Sequence, residues 1–234
     1  MSQNFNLVAT AFEVMKFFVP FLFALCFHEF AHGLVAKWRG DKTAETMGRL
    51  TLNPMAHADL VGTVIFPITS MVAAVNGVRL PLFGWAKPVP VDERNLKNPK
   101  VDMFWIAAAG PLSNLLLATL TAIAFGGFVR YAITSNLDMA GGAGQIKEVL
   151  DMFIGINVFL AIFNLIPIHP LDGGKVLARF LPDRINTRLE ESQQQLSFLL
   201  LILFISGGAR FIAYPAQWMI HSVFYPIAEG VARL

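Results

Sequence analysis

His28-Glu29-Phe30-Ala31-His32 sets two imidazoles four positions apart, with a carboxylate beside the first. On a helix, residues four apart lie on one face, one turn from each other, so both rings can reach a single metal ion. Glu29 is rotated from His28 by about 100 degrees, close enough to act on a water at that metal. Zinc lowers the pKa of such a water to about 7, and a carboxylate can take its proton during attack on a peptide carbonyl. The pattern lies in ALCFHEFAHGLVAKW, residues 24–38, at the end of a long apolar run. Ionisable side chains inside an apolar span are costly, and their default reading is a functional site. The alternative is a pair of core histidines hydrogen-bonded to neighbours, which leaves that cost unexplained.

Two histidines do not complete a catalytic zinc site, which usually takes three protein ligands and keeps one position open. The best source of the third is NLIPIHPLDGGKVL, residues 164–177, where Asp172 is the only carboxylate between Asp151 and Asp183. Pro167 and Pro170 break the helix before it, and Gly173-Gly174 let the backbone turn sharply. Broken backbone at membrane depth is tolerated where it is buried in protein or lines a cavity. Asp172 could instead cap the helix that starts near Gly173. His169 is a rival ligand, ranked below Asp172 as pocket wall. Asn164 is polar within an apolar run, and its amide could donate to a developing oxyanion or bridge the broken backbone. His57 reads as a loop-ordering residue, with a regulatory metal or gate role left open.

The elements that hold these groups come from composition. Hydrophobic residues make up 55% of the 234 and charged residues 15%, against about a quarter charged in soluble domains. Five apolar blocks run over about 7–38, 60–75, 103–131, 149–171 and 196–214. A bilayer takes roughly 20 residues of helix. The sequence therefore predicts an all-α polytopic membrane protein with about four to five transmembrane helices. It forms one membrane-embedded unit over residues 1–234, with a catalytic core over about 20–180 and C-terminal helices over 192–234. The aromatic-rich tail after residue 216 reads as interfacial. A net charge of +2 gives no argument for nucleic acid, and the single cysteine, Cys26, excludes a disulfide within the chain. The first residues lack the basic stretch and cleavage site of a signal peptide.

Topology follows from parity. His28 and His32 lie toward the end of the first block and Asp172 at the end of the fourth, so these two blocks must run in the same direction to share a metal. Only one of the second and third blocks then crosses fully. The second is short and carries Gly62 and Pro67, so it is expected to dip in and return. Three loops then share one face. They run over 37–49, 79–100 and 175–188, and hold thirteen of the 18 Lys and Arg. The positive-inside rule puts that face, and the metal near it, toward the cytoplasm. Pro81, Pro88 and Pro90 forbid a regular helix in the middle loop, and Leu82 to Val91 reads as a short extended or β segment that a substrate strand could join.

The chain resembles the site-2 protease family of intramembrane zinc metalloproteases, peptidase family M50. The resemblance rests on His28-Glu29-Phe30-Ala31-His32, on Gly110-Pro111-Leu112-Ser113-Asn114, and on Asn164-Leu165-Ile166-Pro167 followed by Leu171-Asp172-Gly173-Gly174. It implies one Zn2+ per chain on His28, His32 and Asp172, with Glu29 as general base and Asn164 as a substrate or oxyanion contact. It implies cleavage of a membrane-protein substrate in or near a transmembrane segment, in a multi-pass protein of the prokaryotic plasma membrane. Leu50-Thr51-Leu52-Asn53-Pro54 and Gly84-Trp85-Ala86-Lys87-Pro88-Val89-Pro90 resemble the small branch without PDZ or CBS domains. Gating would then come from the chain's own loops or a regulatory membrane partner. His169 stands where many members carry an apolar residue or proline. The competing class is a zinc-binding membrane protein without proteolysis, a transporter or an inactive scaffold.

Overall fold

A computed structural model describes residues 7–75, 77 and 84–233. Its regular structure is helical, and no strand occurs among the described residues. α1 (Leu7–Arg39) carries the metal-type motif and is followed by two one-turn helices, α2 (Thr43–Thr46) and α3 (Pro54–His57). A π-helical turn, Leu60–Ile65, leads into α4 (Phe66–Val75). After the proline-rich loop come α5 (Pro99–Thr134) and α6 (Gly142–Asn164). The short α7 (Asp172–Ala178), the amphipathic α8 (Asp183–Glu191) and α9 (Gln193–Leu203) follow. A kink at Gly207, whose φ of +95° suits glycine, separates α9 from α10 (Ala209–Met219) and α11 (Tyr225–Arg233).

Two helices, α1 over Thr10–Arg39 and α5, are long and apolar enough to cross a membrane. They pack antiparallel. Going up α1 from Ala24 through His32 to Arg39, the partners on α5 descend from Asn114 through Ile106 to Asp102. α6 runs the other way past α5, with Asn157 beside Asn114 and Lys147 over the Phe125 ring. α1 and α6 are therefore parallel. Lys16 pairs with Glu148, and Phe21, Ala24 and Leu25 pack on Ile156 and Leu160. The common direction that parity demanded of the first and fourth blocks is present.

Small residues set how closely these helices approach. A Cβ at Gly126 would fall 2.2 Å from the Ala228 carbonyl oxygen, so α11 rests directly on α5. Ala118 and Ala122 of α5 meet Ile154 and Val158 of α6, with Ala216 and Phe224 completing the cluster. The tail expected at the interface is thus helical and folded onto the bundle. The fourth block also ends earlier than its hydropathy suggests. α6 stops at Asn164, and residues 165–171 turn before α7 begins, as Pro167 and Pro170 require.

Candidate metal centre

α1, about three turns from its end, meets α5, about three turns from its start, where α5 is smallest at Gly110. A Cβ on Gly110 would lie 2.5 Å from His32 Nε2 and 2.6 Å from His28 Cε1. Only glycine leaves room there for two imidazoles side by side. The rings meet edge to face, 4.6 Å between centroids. α7 brings the third group. A Cβ at Gly173 would sit 2.3 Å from the carbonyl oxygens of Leu165 and Ile166, so the glycine lets the turn close against the end of α6. Asp172 opens α7 but does not cap it: Leu171 is the N-cap, and the helix has no side-chain cap. The Asp172 carboxylate instead turns to α1, with Oδ2 3.0 Å from His28 Nε2 and 3.3 Å from His32 Nε2.

Protons decide what this cluster is. His28 Nδ1 lies 2.7 Å from Asn114 Oδ1, and His32 Nδ1 lies 2.6 Å from the Ile106 carbonyl oxygen. Both of those partners only accept, so each ring carries a proton on Nδ1. In the neutral ring Nε2 is then a bare lone pair. Two such lone pairs face a carboxylate oxygen, and three acceptors converging on one point call for a positive charge among them, from a metal ion or from a proton on an imidazole. His28, His32 and Asp172 offer ligand atoms all within 4.8 Å of one another, and the group is nearly buried. Tetrahedral zinc with bonds of about 2.0–2.1 Å spaces neighbouring ligand atoms by roughly 3.3 Å, close to the separations found. The donor set and its geometry fit a divalent ion of zinc type.

Glu29 is buried beside the rings, and its Oε2 accepts the Val89 backbone N–H at 2.8 Å. Glu29, the two histidines and Asp172 line a cavity of about 350 Å3 whose walls include Trp85, Val89, Asn164 and Leu200. Asn164 gives one amide proton to the Leu160 carbonyl oxygen of its own helix at 3.0 Å, which leaves its second proton for the cavity. His169 is buried outside this group, and its Nε2 has no hydrogen-bond partner among the described residues. His57 is also buried and outside it; its Nε2 donates to the Thr51 carbonyl oxygen at 2.8 Å.

The expected β segment over Leu82–Val91 has two residues, Leu82 and Phe83, outside the described ones, and Gly84–Val91 carries no strand pairing. Three of its donors are used within the protein: Trp85 N–H goes to the Gly62 carbonyl oxygen, Lys87 N–H to the His57 carbonyl oxygen and Val89 N–H to Glu29. Pro88 and Pro90 have none to give. Sequence reasoning also passed over Asn114 and Asn157, both fully buried behind His28. Asn114 stood out only as the end of a close-packing motif. The usable signal was a side-chain amide inside a long apolar run.

The site and its bundle define a helical protein with a buried metal-type cluster and two helices long and apolar enough to cross a membrane, and the comparisons with known proteins give its family. Peptidase family M50 matches residues 16–207, most of the chain, so the chain belongs to that family of zinc metalloproteases of site-2 protease type. It is 30% identical over 200 residues to the protein named "Putative zinc metalloprotease YwhC" of Bacillus subtilis, covering 84% of this chain and 83% of that one. It is 27% identical over 206 residues to "Putative zinc metalloprotease Rip2" of Mycolicibacterium smegmatis, covering 87% and 70%. It is 29% identical to Rip2 of Mycobacterium tuberculosis strain H37Rv, covering 79% and 64%. No solved structure matches the chain.

Proposed function

We propose that this protein is an intramembrane zinc endopeptidase that hydrolyses a peptide bond in or near a transmembrane segment of another membrane protein. His28, His32 and Asp172 hold one Zn2+, Glu29 is the general base, and Asn164 contacts the substrate carbonyl. The observation that carries this is the convergence of two Nε2 lone pairs and one carboxylate oxygen beside a buried glutamate, in a helix long enough to span a bilayer. Bound zinc supplies a Lewis acid that polarises the carbonyl and acidifies water.

The protein's own residues do the rest. Val89 N–H holds one oxygen of Glu29, which fixes the carboxylate in the cavity and leaves the other oxygen to take a proton from water and return it to the leaving amine. The free amide proton of Asn164 is aimed to stabilise negative charge on the substrate oxygen. A substrate helix must unwind first, because its carbonyls are otherwise paired.

In the membrane, α1, α5 and α6 cross, residues 60–75 re-enter, and the C-terminal helices pack alongside, with residues 1–234 acting as one unit. Contacts at one end of the bundle support this. Asp41, after α1, accepts from Asp92 N–H and Asn95 Nδ2, each at 2.8 Å. Lys100, at the start of α5, donates to Asp183 Oδ1 at 2.8 Å. The three positive loops therefore meet on one face, which the positive-inside rule assigns to the cytoplasm of a plasma membrane. Labelling of cysteines introduced as Lys42→Cys and Arg94→Cys from one side only would support it; labelling from opposite sides would refute it.

The decisive test pairs metal analysis of purified protein with cleavage of membrane-helix substrates. The wild type is expected to hold one zinc and cut. Glu29→Gln is expected to keep the zinc and lose cutting by roughly 10²–10⁴-fold. Zinc-dependent function without cleavage, insensitive to Glu29→Gln, would favour a transporter or scaffold instead.

A further inference from the structure

His28 and His32 are oriented by different means. His32 gives its Nδ1 proton to a backbone carbonyl, which cannot turn away. His28 gives its proton to a side-chain amide, and an amide presents an acceptor at one end and donors at the other. If the Asn114 amide were reversed, its NH2 would face His28 Nδ1. The imidazole proton would then move to Nε2, the atom that faces Asp172.

Two carbonyl oxygens fix which end is which. The Ala24 carbonyl oxygen lies 3.2 Å from Asn114 Nδ2, and the Phe153 carbonyl oxygen lies 2.8 Å from Asn157 Nδ2. Both only accept. Asn157 Oδ1 then meets Asn114 Nδ2 at 2.9 Å, and Asn114 Oδ1 meets His28 Nδ1 at 2.7 Å. Donation runs one way, from His28 through Asn114 to Asn157 and on to the backbone of α6. Asn114 and Asn157 are both 0% exposed, so no solvent replaces a missing member.

We propose that Asn157 is a positioning residue for the metal: with the longer contact from the Ala24 carbonyl oxygen, it holds the Asn114 amide in the one orientation that keeps the His28 proton on Nδ1 and the Nε2 lone pair in the site. This rests on the proposed role of His28 as a zinc ligand. Loss of such an outer partner typically weakens metal binding 10–100-fold.

The test measures zinc affinity by chelator competition for wild type, Asn157→Leu and Asn157→Asp in detergent, with histidine 15N spectra of the metal-free proteins. Asn157→Leu is expected to bind zinc roughly 10–100-fold more weakly and to gain the Nε2–H form of His28. Asn157→Asp, whose protonated carboxyl offers the same acceptor and donor, is expected to restore both. Unchanged zinc affinity in Asn157→Leu would overturn the proposal. So would an Asn157→Asp as weak as Asn157→Leu, which would mean that only packing had been lost. Should Asn157→Leu fail to fold, Asn157→Ala is read in the same way, and a wild-type His28 protonated on Nε2 overturns the assignment. A wild type that binds no zinc at all would defeat the protease reading instead, while the spectra still test Asn157.

Discussion

Asp41 is a buried carboxylate and Asp172 a nearly buried one, both beside α1, yet their surroundings are opposite. Asp41 is 0% exposed and faces only donors: Thr43 N–H at 3.0 Å, Thr43 Oγ1 at 2.5 Å, Asn95 Nδ2 at 2.8 Å and Asp92 N–H at 2.8 Å. Its charge is answered entirely by the protein, and the result is a clamp between the end of α1 and the 92–95 turn. Asp172 faces two imidazole nitrogens whose rings already spend their protons on Asn114 and Ile106. Its charge is answered by nothing in the neutral protein. A buried carboxylate ringed by donors is structural; one ringed by lone pairs is waiting for a cation.

The same substitution at both positions should separate them. Asp172→Asn is expected to abolish zinc retention and cleavage, read by metal analysis and a substrate assay. Asp41→Asn is expected to leave zinc content intact and to destabilise the fold by about 1–3 kcal/mol, because its NH2 would oppose a donor. Thermal unfolding in detergent reads the second effect. Zinc loss in Asp41→Asn, or zinc kept in Asp172→Asn, would break the contrast.

Gly110→Ala probes the metal side without touching a ligand. The added methyl would overlap both rings, so zinc affinity should fall by roughly 10–100-fold with the protein still folded. An affinity equal to wild type would mean that the rings can move aside freely.

The smallest effect concerns pH. Burial alone would raise the Asp41 pKa, but hydrogen bonds from Thr43, Asn95 and Asp92 outweigh it and hold the carboxyl below its usual range. Asp92, bonded to the Arg94 side chain and backbone, is lowered to about 2. A lowered folded value contributes stability above the unfolded pKa of about 3.9, and that contribution is lost as pH falls through the folded value. Unfolding temperature should therefore drop below about pH 4, and Asp41→Asn should flatten that acid limb. An acid limb identical in the variant would remove Asp41 from the account.

Much of the site was legible because it is local. His28, Glu29 and His32 lie within one helical turn and a half, so their shared face follows from helix geometry alone. Asp172 was legible by elimination, as the lone carboxylate after a proline-broken helix. Asn164 was picked for its polarity, though its amide turns half toward its own helix. The helical character of the C-terminal tail was legible, but the contacts of Phe224 and Ala228 with the bundle were not, because they depend on which residues of α5 and α6 come to lie opposite them. Of Leu82–Val91, expected to be an extended or β segment, the described part, Gly84–Val91, lies beside Glu29 without strand pairing. Its prolines remove some donors, and His57 and Glu29 take others.

The sequence by itself determined the membrane character, the metal-type helix face, the parity of α1 and α6 and the family, since each depends on residue type and spacing along the chain. Only the tertiary structure decided which atoms of His28 and His32 face Asp172, and why. A proton's position on an imidazole is set by the partner of the other nitrogen. Those partners, Asn114 and the Ile106 carbonyl, come from a helix about 80 residues away, brought in because Gly110 lets α5 approach.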